Sequence, residues 1–316
     1  MLLASKDLLK ILIRSLSPMY KKIEPFWSEQ KKAIKIEWNL GKRCNFDCSY
    51  CPAFIHDNTS QHTDIEILKR AADQIETLED PRVSFTGGEP CVHPDFPKFL
   101  EYIRPKVTWI NVTTNGTKSA KYYNHLLMNY VDHMVFSMHF EYNWEKCLNA
   151  ILNVAHAAHN KAVLVHVMML PGRLTHVKQA CRRLRENNVA FALRPIRWTE
   201  THDVFADMDR YSAEELDFLK TENHNPPPNL YADGEQKNSN DLLIEKTNQF
   251  LGWECNAGLE SLMINWDGDV HRATCRVGGS LGNIYTGTFE APVDTITCTR
   301  NWCTCAADIP LSKKMC

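Results

Sequence analysis

Three cysteines in the segment KRCNFDCSYCP have a spacing that can do metal chemistry: Cys44, Cys48 and Cys51 form C-x3-C-x2-C. Thiolates are soft ligands, and three this close in sequence can converge on one soft metal centre from a single loop. Two other uses compete: a zinc knuckle that takes His56 or His62 as its fourth ligand, or plain burial. A second group, Cys255, Cys275, Cys298, Cys303, Cys305 and Cys316, crowds the end of the chain. So many thiols in so short a stretch are difficult to explain by packing. Cys91, Cys147 and Cys181 are scattered and read as small apolar residues. The segment TGGEP places Gly87, Gly88 and Glu89 together. Consecutive glycines let a ligand approach bare backbone, and a carboxylate beside them can accept from an ammonium group. A tight turn into the next helix is the other use of the same residues.

The elements around these residues decide where they meet. Apolar runs at Ala33–Trp38, Arg82–Phe85, Val107–Val112, His133–Met138, Ala162–Met168 and Val189–Arg194 read as strands. Helical patterns at Asp64–Leu78, Asp95–Ile103, Ser119–Asn129, Asn143–His159 and Leu174–Asn187 separate them. Strands alternating with helices of this length imply βαβ units and a parallel sheet, and six such units close only part of a barrel. In such folds ligands gather at the carboxyl ends of the strands. The cysteine triplet follows the first strand and GGEP ends the second. Thr114, Asn115 and Gly116 end the third, and Ser137 lies in the fourth, with His139 and His166 pointing to the same region.

After Arg197 the character changes. Tyr211–Lys220 reads as a short helix with Ser212 as its N-cap, a polar proline-containing connection follows, and Asp241–Leu251 reads as another helix. Short β-like runs at Ser261–Ile264 and Asp269–Thr274 flank Asp267-Gly268, a strong hairpin signal. The expected division is an N-terminal helical segment over 1–32, an α/β domain over 33–235 and a small Cys-rich domain over 236–316.

Composition narrows the function classes. The chain has 316 residues, 44% hydrophobic and 23% charged, with a formal net charge of -2. There is thus no global attraction to nucleic acid or anionic membrane. The basic run Arg182, Arg183 and Arg185 falls in a helical pattern and reads as a solvated face. The opening MLLASKDLLKILIRSLSPMY is interrupted by Lys6, Asp7, Lys10 and Arg14, so it reads as an amphipathic helix and not as a targeting segment. No later apolar run is long enough for a bilayer. The expected compartment is the cytoplasm, where clustered cysteines point to metal or redox chemistry more than to disulfides.

The C-x3-C-x2-C triplet, with Tyr50 before its last cysteine, resembles the signature of the radical S-adenosylmethionine (SAM) superfamily. GGEP on the second strand, TNG on the third and Ser137 on the fourth follow in the order that family shows. The resemblance covers roughly residues 33–195 and implies a partial (β/α)6 TIM-like barrel. It implies that Cys44, Cys48 and Cys51 bind three irons of a [4Fe–4S] cluster whose fourth iron is open to SAM. Tyr50, Gly87, Gly88, Glu89, Asn115 and Ser137 would form the SAM site, with Glu89 facing the SAM amino group. It also implies reductive cleavage of SAM to methionine and a 5′-deoxyadenosyl radical, which removes hydrogen from a substrate. An electron donor such as a flavodoxin or ferredoxin is implied with it.

Cys255 and Cys275 flank the expected hairpin, and on ligands alone zinc and iron–sulfur are both open. The run from Cys255 through Gly268 to Cys275 is similar to SPASM and twitch extensions, which hold auxiliary [4Fe–4S] clusters. The resemblance implies the shorter twitch form with one auxiliary cluster. Its ligands would be Cys255 and Cys275, then Cys303 and Cys305, with Cys298 as substitute. The spacing from Gly268 to Cys275 and the C-x4-C-x-C run both depart from the family pattern. Expected substrates are a peptide or a small molecule. RNA or nucleobase modification and a non-catalytic zinc or iron–sulfur module are the rival readings, and the intact GGEP counts against the module.

Overall fold

The computed structural model describes residues 20–26, 33–158, 162–196, 210–222 and 228–316. The amphipathic helix expected at the start of the chain lies outside them. A short strand, β1 (Lys22–Pro25), precedes six longer ones: β2 (Ile34–Asn39), β3 (Pro81–Thr86), β4 (Trp109–Thr114), β5 (His133–Met138), β6 (Val163–Met169) and β7 (Ala190–Pro195). β2 to β7 pair in chain order, every pair parallel. The connections carry α1 (Ile65–Ile75), α2 (Phe96–Ile103), α3 (Ala120–Asn129), α4 (Trp144–Ala157) and α5 (Leu174–Glu186). This is the α/β, partial TIM-like barrel that the strand and helix spacing predicts.

Local chemistry sets the helix starts. Asp64, Ser119 and Asn143 each accept a backbone amide of the first turn, which satisfies one of its orphan donors. α1 buries Leu68, Ala71, Ala72 and Ile75 against the sheet, an i, i+3, i+4, i+7 stripe. The barrel core gathers Trp38, Phe85, Phe96 and Phe99, with Trp38 and Phe99 edge to face at 5.4 Å between ring centres.

Three later strands extend the barrel sheet. β8 (Leu230–Ala232), β9 (Glu235–Lys237) and β10 (Glu254–Cys255) come first in the chain and belong elsewhere. Then β11 (Ser261–Ile264) pairs parallel to β2, and β12 (Asp269–His271) and β13 (Ser280–Asn283) continue antiparallel, giving nine strands in all. Asp267-Gly268 makes the β11–β12 turn, with Gly268 at φ 85. The indole Nε1 of Trp38 donates to the Tyr285 hydroxyl at 3.1 Å, tying the turn after β13 to the barrel's first strand.

A second sheet of six strands runs β14 (Ile296–Thr297), β10, β15 (Lys313–Lys314), β1, β8, β9. It joins the start of the described chain to its end. α6 (Ala213–Thr221) starts at a capping box between Ser212 and Glu215. α7 (Ser239–Glu245) starts earlier and ends earlier than its apolar pattern suggests. Asn238 and Asp241 form a capping box at its start, and Lys246 turns left-handed at φ 57 to stop it. Among the described residues no helix is long and apolar enough to cross a membrane.

Candidate functional site

The loop that follows β2 is sewn to the loop that follows β3. Glu89 N donates to the Arg43 carbonyl at 3.0 Å, Gly88 N to that of Ile55 at 3.3 Å, and Cys44 N to that of Asp57 at 2.8 Å. Gly88 has φ 51, and a Cβ there would stand 2.3 Å from the Arg43 carbonyl oxygen. The glycine is therefore demanded by the close approach of the cysteine loop itself.

This stitching opens a cavity of about 310 Å³ at the carboxyl ends of the strands. Cys44, Cys48 and Cys51 line it together with Tyr50, Gly87, Gly88, Glu89, Asn115 and Ser137. All the residues expected around the first cysteine group thus border one space. Burial pushes the Cys48 and Cys51 thiols up to about 12, Cys48 further through Cys51 and Cys51 further through Cys44. Burial also raises Cys44. Thiols that raise one another are close together, and a shared cationic centre would hold all three as thiolates. The donor set therefore fits an iron–sulfur cluster bound by three cysteines.

Glu89 is only 3% exposed, and its carboxylate is occupied. It accepts Cys91 N at 2.9 Å, the Thr114 hydroxyl at 2.7 Å and Asn115 N at 2.6 Å. Burial raises its pKa against these three donors. The side chain thus bolts the end of β4 to the end of β3. Asn115 passes the connection on: its Nδ2 donates to Asn45 Oδ1 at 2.8 Å and lies 3.9 Å from Cys44 Sγ.

The end of β5 holds the cysteine loop from the other side, through His139, which the strand spacing already points to this region, and through Glu141 and Tyr142, which no motif marks. His139 Nδ1 lies 2.6 Å from the Tyr50 hydroxyl and 3.5 Å from Cys48 Sγ. Burial pulls the His139 imidazolium down to about 4. The Glu141 carboxylate accepts Ser49 N at 2.9 Å, and Tyr142 stacks on Phe46 at 3.8 Å between ring centres. His56 borders the cavity but donates Nε2 to the Phe46 carbonyl at 2.8 Å. His62 packs instead against His93, 4.8 Å between rings.

The second cysteine group is divided by the structure. Cys255, Cys275, Cys298 and Cys303 line one small cavity with Asp308 and Lys313. Cys303 is held by Asn248, whose carbonyl accepts Cys303 N at 2.9 Å, and Cys298 N donates to the Trp253 carbonyl at 2.7 Å. The Lys313 ammonium is buried here, donating to the Asp308 and Ile309 carbonyls at 2.8 and 3.0 Å, with Cys303 Sγ at 3.9 Å. Cys305 turns away and borders the barrel cavity. On extended backbone two thiols at this spacing would share a side; here the chain turns at Cys305, whose carbonyl accepts Asp308 N and Ile309 N at 3.0 Å, and the two thiols line different cavities. The geometry therefore groups Cys298, the expected substitute, with Cys303. Cys316 is exposed.

Among the described residues, no group of three or more His, Cys, Asp or Glu side chains is arranged to hold a single metal ion. A cluster makes a different demand, since each thiolate binds its own iron.

A barrel of this topology, with three thiols and a glycine-rich turn at its mouth, defines a class. Residues 38–191 match the model of the Radical SAM superfamily and form a radical SAM domain. The family's cofactors are a [4Fe–4S] cluster and SAM. The chain is 33% identical over 92 residues to the Fe-coproporphyrin III synthase of Methanosarcina barkeri, 29% of this chain and 23% of that protein. It is 35% identical over 82 residues to a probable GTP 3′,8-cyclase of Pyrococcus abyssi, 25% of this chain and 26% of the other. A mycofactocin maturase of Mycobacterium tuberculosis is 28% identical over 102 residues, 32% of this chain and 26% of the other. The chain thus spans about a quarter of the length of these curated relatives. Among solved structures, native anSMEcpe with bound AdoMet gives a TM-score of 0.55 at 15% identity, covering 81% of this chain and 79% of that one. Streptococcus suis SuiB bound to precursor peptide SuiA gives 0.53 at 13% identity, covering 89% and 66%. These likenesses are of fold.

Proposed function

We propose that the protein is a radical SAM enzyme acting on a peptide or small molecule, with a second metal centre in its C-terminal portion. The observation that carries the reading is that Cys44, Cys48 and Cys51 share one cavity with Gly87, Gly88, Asn115 and Ser137. When bound, the reduced cluster supplies the electron that cleaves SAM to methionine and a hydrogen-abstracting 5′-deoxyadenosyl radical. The protein's part is to hold three thiolates from one loop and to present backbone at Gly87 and Gly88. The cavity continues past Gly87, Ser137 and Met168 into a larger one, which gives the substrate a place next to SAM.

For the second centre, four thiols around one cavity support an auxiliary [4Fe–4S] cluster held by Cys255, Cys275, Cys298 and Cys303. A single zinc ion is the second reading, for which the four thiols would have to draw together, since among the described residues no such group is arranged around one ion.

The test is anaerobic reconstitution followed by iron, sulfide and zinc analysis, then incubation with dithionite and SAM. Wild-type protein should release 5′-deoxyadenosine even without substrate. Replacing Cys44, Cys48 and Cys51 by Ala should abolish this and leave about half the iron, because the two sites are independent. A fully loaded protein that makes no 5′-deoxyadenosine would be a metal-binding module. Stoichiometric zinc at the second site would replace the auxiliary cluster with a structural ion.

A further inference from the structure

Below the thiol loop the barrel interior opens into a cavity of about 530 Å³. Its wall includes Arg194, at the end of β7, and Arg276, just after β12. The two come from near opposite edges of the nine-stranded sheet and line the same cavity.

We propose that this cavity takes a substrate bearing an oxyanion, carboxylate or phosphate, and that Arg194 and Arg276 hold it. The word substrate rests on the function proposed above; the anion site itself does not.

Neither guanidinium is paired with a carboxylate among the described residues. Arg194 has two neutral partners: Nη2 lies 3.0 Å from His166 Nε2, and Nη1 meets the Asn240 side-chain oxygen. His166 is kept neutral by its burial and by the arginine beside it. Arg276 donates Nη2 to Asn265 Oδ1 at 3.0 Å, while its Nε is buried with no hydrogen-bond partner. Its backbone is left-handed at φ 55, a conformation rare for a residue with a long side chain. The described lining contains a single carboxylate, Glu37, against these two cations.

A buried cation without a counter-charge is costly, and the cost is removed when a ligand brings the anion. Guanidinium forks match carboxylate and phosphate oxygens in pairs, so they recognise the group as well as neutralise it. Ser84, Asn111 and Thr274 on the same wall add short polar contacts that suit a polar ligand. Neither arginine borders the smaller cavity that contains the three cysteines, which separates this site from the one that binds SAM.

The experiment uses the full chain, reconstituted without oxygen and saturated with SAM. Inorganic pyrophosphate and glutarate are titrated separately by calorimetry at constant ionic strength. At least one should bind. Arg276→Gln and Arg194→Gln should each weaken that binding by about tenfold or more, the loss expected for a charge-assisted fork. SAM affinity should stay within about twofold, a change too small to reflect a lost ionic contact. Preference for pyrophosphate assigns a phosphorylated substrate, and preference for glutarate a carboxylate. If a variant does not fold, phenylglyoxal labelling of wild-type protein replaces it, and the bound probe should slow modification of both arginines. Binding of neither probe, wild-type affinity for the probe in both variants, or unprotected arginines overturns the proposal. So does a parallel loss of SAM affinity, which would make the anion SAM's own carboxylate. Release of 5′-deoxyadenosine is measured in the same preparation and does not need the arginines. Its absence beside intact probe binding would sink the radical reading and leave the anion site standing.

Discussion

The carboxylate of Glu89 accepts the backbone amide of Asn115 across 2.6 Å, and with it fixes the loop that approaches Cys44. Two further donors, Cys91 N and the Thr114 hydroxyl, converge on the same group. Glu89→Gln keeps the shape but turns an amide NH2 toward donors and removes the charge that strengthens all three bonds. Stability should fall by about 1.5–3 kcal/mol, measured by urea denaturation. SAM should also bind about ten- to a hundredfold more weakly, since the same free energy is lost from the site's alignment. Weaker SAM binding at unchanged stability would instead put the carboxylate directly on the SAM ammonium.

Gly88 is the tightest point in the site. An alanine there would be strained at φ 51 and would push on the Arg43 carbonyl, one residue before Cys44. A left-handed alanine alone costs about 1–2 kcal/mol, and the clash with backbone adds to it. Gly88→Ala should therefore lower the melting temperature and reduce iron bound at the first site. Normal iron content with a wild-type melting curve would show that the two loops can part without consequence.

The barrel was legible because its strands are apolar runs and its helices carry capping residues at their starts, as at Asp64, Ser119 and Asn143. The site's outline was legible for the same reason: a cysteine triplet, GGEP and TNG each end a strand. What holds those motifs together was not. His139 was placed near the site but not against Tyr50 and Cys48, and Glu141 and Tyr142 also reach the cysteine loop from about ninety residues away, as Ser49 and Glu141 show. Such contacts leave no local pattern. The pairing of β11 with β2 was hidden likewise, since a four-residue apolar run does not declare its partner. Nor could spacing alone choose between Cys298 and Cys305, because the choice depends on the turn that the chain makes at Cys305.

That choice can be measured. Cys298→Ala should remove metal from the C-terminal site, because its thiol borders the cavity shared by Cys255, Cys275 and Cys303. Cys305→Ala should leave that metal in place, because Cys305 borders the barrel cavity. Both variants should keep the iron of the first site. The reverse pattern of metal loss would restore Cys305 as the ligand and move Cys298 to a packing role.

His166 gives the fold a dependence on pH. It is partly buried on β6 beside the Arg194 guanidinium, and desolvation first, then that charge, hold its pKa well below the ordinary histidine value. In the unfolded chain the same imidazole titrates near about 6.5. Below that pH the unfolded state takes up a proton that the folded state refuses, so stability rises with pH through this range and is lost on acidification. For one such histidine the slope reaches about 1.4 kcal/mol per pH unit. His166→Asn keeps a polar side chain opposite Arg194 but removes the titration. Urea denaturation of the two proteins between about pH 5 and pH 7 should show a shallower decline for the variant by up to that slope. Parallel curves would mean that His166 accepts its proton in the folded state, with Arg194 moving away to admit it.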